Sequence, residues 1–128
     1  MLLSQVKTSI KYKLSQSKRI DDDALLASLV NEAMYYVCGK CIPSKLLCDG
    51  VDTGDSTVLR NVSGGLYIQT PDYPDFASEH KHLHMDESLV FAVIHYACFL
   101  VDGNVNYKTI ADEIINEHIS HEGELNYA

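Results

Sequence analysis

The sequence predicts a mainly α fold, a small bundle of about four helices with a β-hairpin inserted between the second and third long helices. Three observations carry that expectation. Apolar residues recur at helical spacing near both ends of the chain, and a stretch from Leu89 to Val101 is apolar almost without interruption. Between them, Val58-Leu59-Arg60-Asn61 and Leu66-Tyr67-Ile68-Gln69 flank Val62-Ser63-Gly64-Gly65, a glycine-centred reversal.

In order along the chain, Leu2, Val6, Ile10 and Leu14 make one apolar stripe, with Lys7, Lys11 and Lys13 beside it. Residues 15–19 break this period. Asp21, Asp22 and Asp23 then offer capping oxygens and negative charge at the start of a second helix. Its stripe is Leu25, Leu26, Leu29, Val30, Ala33 and Val37, and Gly39 and Pro43 are its stop signals. Leu46 and Leu47 suggest one further turn, and residues 49–56 have the composition of a surface loop.

The hairpin follows from Thr57. Gly64 and Gly65 can take the positive φ that a tight reversal needs. A two-stranded hairpin is marginal in water, so it must lean on helices or on another subunit. Pro71 and Pro74 end regular pairing, and Asp72 to His84 reads as irregular. Asp86 and Glu87 open the apolar helix, whose nearly all-round hydrophobicity marks it as central or as a contact with a neighbouring chain. Asp102-Gly103-Asn104 ends it. Ile110, Ala111, Ile114, Ile115 and Ile119 give the last helix, antiparallel to it across a short link. Residues 122–128 form a polar tail expected to order against a partner.

The 128 residues correspond to a single domain, 1–128, able to bury a modest core without disulfides. Apolar residues make up 46% and charged residues 22%, which argues against wholesale disorder. A formal charge of -8 disfavours adhesion to nucleic acid or to anionic membranes. The first residues lack the pattern of a signal peptide, and the longest apolar run is too short for a bilayer. The expectation is a soluble protein made in the cytoplasm, with its four cysteines reduced.

Cys38-Gly-Lys-Cys41 has redox spacing, but it falls at a helix C-terminus, whose dipole opposes a thiolate. Zinc could engage Cys38 and Cys41, with Cys48 or one of His80, His82 and His84 completing a tetrahedral set. That spacing matches no familiar finger, and half-buried thiols with solvated loop histidines are the plainer account. His95 and His118 suit hydrogen-bonded core or interface positions, where either could meet a carboxylate such as Glu113 or Glu117, better than catalysis. Gly64-Gly65 lacks the residues of a phosphate loop and is read as a turn. No catalytic residue, cofactor or metal site is therefore assigned. Leu66, Tyr67, Ile68, Phe91, Tyr96, Phe99 and Tyr127 are the candidates for an oligomer or partner interface.

The chain resembles the head-to-tail connector adaptor (head completion) proteins of tailed bacteriophages. The resemblance rests on Leu29-Val-Asn-Glu-Ala33 with Ile42-Pro43, on Val58-Leu59-Arg60 and Leu66 to Pro71, and on Met85-Asp86-Glu87-Ser-Leu89 with Ala92 to Ala97. It implies a non-enzymatic virion protein of the head-tail neck, a ring oligomer of about twelve copies beneath the portal protein. A stopper or tail protein lies below, and double-stranded DNA passes through the lumen without sequence-specific binding or any membrane contact. The His-bearing loop from Asp72 to His84 and the Cys38/Cys41 pair depart from the family pattern. Other neck or tail-completion roles, or a small zinc-binding or thiol-active regulatory module, are the alternatives.

Overall fold

The computed structural model describes residues 1–14, 20–50, 57–78 and 80–126, with side chains up to Glu122. The predicted break at 15–19, most of the loop at 49–56 and Tyr127 lie outside the described residues. Four helices, α1 (Leu3–Leu14), α2 (Asp23–Lys40), α3 (Glu87–Asp102) and α4 (Val105–Asn126), frame a small antiparallel sheet. The sheet comprises β1 (Leu47–Asp49), β2 (Val58–Val62) and β3 (Leu66–Gln69), in the order β1-β3-β2. The mainly α class with an insertion between the second and third long helices is thus observed.

Helix α1 buries Leu3, Val6, Ile10 and Leu14, so its stripe begins one residue later than the sequence suggests. Leu2 is instead drawn into an antiparallel bridge with His82. Leu3 N–H donates to Lys81 O at 2.9 Å and Leu83 N–H to Met1 O at 2.9 Å, so the chain start clasps the irregular loop. In α2, Asp22 accepts the Ala24 N–H at 2.9 Å and starts the helix as its composition requires. Leu26, Ala27, Val30, Ala33, Met34, Val37 and Cys38 face the core.

Helix α3 is the centre of the bundle: it packs against α1 and α2, and most extensively against α4. Leu89, Val90, Ala92, Val93, Ile94, Ala97 and Cys98 are all buried, which accounts for its apolar character on nearly every side. Gly103, at φ 73°, closes it in a left-handed cap whose N–H donates to Phe99 O at 2.8 Å. The reversal into α4 is therefore immediate. Among its described side chains, helix α4 buries only Ala111 and Ile115, with Tyr107 and Ile114 partly covered. No helix among the described residues is long and apolar enough to cross a membrane.

The sheet extends the predicted hairpin, with β2 running on to Val62 and a bulge between Val58 and Arg60. Gly64 and Gly65, at φ 82° and 74°, make the expected reversal, and Val62 pairs with Leu66, Asn61 with Tyr67 and Arg60 with Ile68. Leu47 to Asp49, assigned by sequence to a turn and loop, adds a third strand opposite Ile68, Tyr67 and Leu66. Three residues are too few to show a period of two, so the strand has no local signature. Its pairing flanks β3 on both sides and relieves the marginality of an isolated hairpin.

Helix α4 continues to Asn126, and Glu122 is held by the chain itself, accepting the Ile42 N–H.

Candidate functional site

The most developed polar site gathers around residues 38–45, where α2 ends and the chain turns into a 3-10 turn at Ser44–Leu46. Pro43 cannot continue the helix, and Cys41 adopts extended backbone at φ -148°. The exposed backbone groups of this junction are then taken by side chains from three distant elements.

Arg60 of β2 donates from Nε to Cys38 O and from an Nη to Cys41 O, both at 3.0 Å. A planar guanidinium on the last carbonyls also places positive charge at the negative end of the α2 dipole. Asp86, only 8% exposed, accepts the N–H groups of Ser44 and Lys45, each at 2.7 Å. Its position precedes α3, yet its carboxylate caps the 3-10 turn rather than its own helix. From α4, Glu122 accepts the Ile42 N–H, and His118 Nε2 donates to Ile42 O at 3.0 Å. The Ile42 backbone is thus gripped at both of its polar groups.

His118 Nε2 also lies 3.3 Å from Glu122 Oε1. The carboxylate that faces His118 is therefore Glu122, one helical turn on, and not Glu113 or Glu117 as the sequence suggested. His95 is hydrogen-bonded as expected, though to a backbone carbonyl: its Nδ1 contacts Phe91 O at 2.6 Å, and burial lowers its pKa from the ordinary value. His84 Nδ1 accepts the Asp72 N–H at 3.0 Å, and His80 and His82 are exposed.

The thiols of the junction are poorly disposed to nucleophilic chemistry. Burial pushes Cys38 up to about 11, with Arg60 opposing and Asp86 reinforcing the shift. Burial, then Glu122, pushes Cys41 up to about 12. Cys98 rises to about 11 for the same first reason. At pH 8 each would be thiolate in about one molecule in a thousand or fewer. Cys48 is the half-buried exception. An aromatic disulfide reagent at pH 8 is accordingly expected to titrate one thiol rapidly, absent in Cys48→Ser, and the other three only on unfolding. Rapid titration of Cys38 and Cys41 together would contradict this placement and revive a redox role for the C-x-x-C pair.

The candidate interface residues fall into distinct settings. Phe91 is 46% exposed on α3, and Leu66 and Tyr67 are half-buried on β3. Ile68 is fully buried, so it belongs to the core of this chain and offers no surface. Tyr96 stacks on Tyr36 with ring centroids 3.8 Å apart and planes at 8°, and Phe99 tilts against Tyr96 at 5.7 Å. Tyr36 donates its hydroxyl to Asp112 at 2.6 Å, so this aromatic cluster ties α2 to both α3 and α4. Burial and Asp112 hold the Tyr36 hydroxyl well above its ordinary pKa. Tyr127 lies outside the described residues.

Sequence reasoning missed Arg60, Asp86 as a cap for a distant turn, and Glu122. The four-residue spacing of His118 and Glu122 on a helix was the one local signal, since it puts both side chains on one face. No family model, curated protein or solved structure gives a significant match to the chain.

Proposed function

We propose that this chain is a subunit of the head-to-tail connector of a tailed bacteriophage, a non-enzymatic structural protein that assembles as a ring beneath the portal. The observation that carries the proposal is apolar surface left on the two principal helices: Phe91 on α3 and Val105, Ile110 and Ile119 on α4 are 46%, 63%, 38% and 40% exposed. Ring closure needs two different surfaces that meet by rotation, and such side chains are suitable material for one of them. The element order supports the same reading, with a hairpin and a proline-marked loop leading to an aspartate-led apolar helix. The polar groups that the fold gathers are engaged with backbone amides and carbonyls, as befits a scaffold. A charge of -8 suits a lumen through which DNA slides without adhering.

Co-sedimentation with portal rings of the same phage tests the proposal. Wild-type protein is expected to bind in a fixed ratio, and Phe91→Asp to weaken assembly by about tenfold or more while the unfolding temperature hardly moves. Failure of the wild type to bind, or full assembly by Phe91→Asp together with Ile110→Asp, would overturn it.

A further inference from the structure

We infer that Cys41, His118 and Glu122 form a binding site for a divalent transition metal, zinc foremost, which fastens the C-terminal half of α4 to the end of α2. One ligand atom from each of the three, thiol sulfur, imidazole nitrogen and carboxylate oxygen, lies within 4.8 Å of the other two. Tetrahedral zinc with bonds of about 2.0–2.3 Å holds its donors about 3.3–3.8 Å apart, so the set must contract by about 1.5 Å at most. His118 and Glu122 already stand 3.3 Å apart.

The donor chemistry is selective. A thiolate, an imidazole and one carboxylate suit zinc or cobalt and disfavour magnesium or calcium, which require oxygen. Gripping the Ile42 backbone needs only the imidazole and the carboxylate, yet a thiol just 2% exposed, its S–H directed at Val37 O at 3.4 Å, stands beside them. Further contacts orient the ligands, as outer partners do at metal centres. The Ile42 N–H fixes the Glu122 carboxylate, and Arg60 fixes the Cys41 carbonyl. A cleft of about 520 Å³, lined by Asp86, Ser88, Phe91, Glu117, His118 and His121 among others, reaches His118.

Protons balance simply. Ile42 O can only accept, so Nε2 carries hydrogen in the metal-free protein. On binding, the Cys41 S–H bond breaks and a sulfur–metal bond forms, the proton passing to solvent. Nε2 yields its hydrogen, and with it the hydrogen bond to Ile42 O, while Nδ1 gains one, so the imidazole stays neutral and one proton is released per metal.

The candidate differs from the set that sequence spacing suggested. Cys41 is shared, but its partners come from α4, and His80, His82 and His84 do not join it.

Cobalt(II) titration of chelator-treated full-length protein is the test. The expected result is one equivalent bound, with a near-ultraviolet thiolate-to-cobalt charge-transfer band and the visible bands of tetrahedral cobalt, displaced by zinc. Cys41→Ser should abolish the charge-transfer band, while Cys38→Ser and Cys48→Ser retain it. His118→Gln and Glu122→Gln should each weaken zinc binding by about tenfold or more. These two variants, checked for native circular dichroism, decide the matter should Cys41→Ser fail to fold. No band with excess cobalt, a band surviving Cys41→Ser, one lost in Cys38→Ser, or unchanged zinc affinity in both α4 variants would overturn the site. The readout needs no portal, so its failure is distinct from failure of the connector proposal.

Discussion

Asp86→Ala is expected to lower the free energy of unfolding by about 3–4 kcal/mol, seen as a reduced urea midpoint with an unchanged slope. Its carboxylate accepts two backbone N–H groups, from Ser44 and Lys45, at 2.7 Å each, in a setting where its own side chain is almost wholly covered. Hydrogen bonds to a charged acceptor contribute about 1.5–3 kcal/mol each, and truncation would leave two part-buried donors without their acceptor. Asp86→Asn keeps one accepting oxygen and should cost about half as much. A change within about 0.5 kcal/mol for Asp86→Ala would mean that water replaces the carboxylate and that the junction is not a structural centre.

Ile94→Ala should cost about 3–4 kcal/mol, since the side chain is fully buried on the helix that packs against α1, α2 and α4. The loss has two parts, the apolar surface no longer withdrawn from water and the cavity that three surrounding helices cannot all collapse to fill. Ile94→Val, which removes one methyl group, should cost about 1 kcal/mol. Phe91→Ala, three residues earlier on the same helix but 46% exposed, provides the contrast and should cost much less. Equal effects at positions 91 and 94 would show that the helix is rotated from the orientation described.

The helices were legible because each repeats its apolar residues within a few turns, and a local period survives whatever the rest of the chain does. Val30, Ala33 and Val37 in α2 and Leu89, Val93 and Ala97 in α3 lie where their spacing places them. The reversal at Gly64-Gly65 was legible because positive φ restricts residue choice. Strand β1 was not, being three residues long and defined by its partner β3. The junction was illegible for another reason. Asp86 meets Ser44 and Lys45 across 42 and 41 residues, Arg60 meets Cys38 and Cys41 across 22 and 19, and His118 and Glu122 meet Ile42 across 76 and 80. Each is a side chain answering a distant backbone group, a relation that leaves no period behind it.

The same distinction explains the candidate surface. Leu66 to Ile68 and Tyr96 are apolar or aromatic, a character that serves a core as well as an interface. Tertiary contacts separate the two uses: Ile68 is core and Tyr96 stacks on Tyr36, whereas Phe91 keeps much of its ring in solvent.

Electron microscopy of the purified chain mixed with portal rings of the same phage tests the connector proposal most directly. The proposal predicts a closed ring of this protein, coaxial with the portal and open along its axis. Portal rings that remain bare at saturating concentration, or the chain bound as isolated copies that never close, would contradict it.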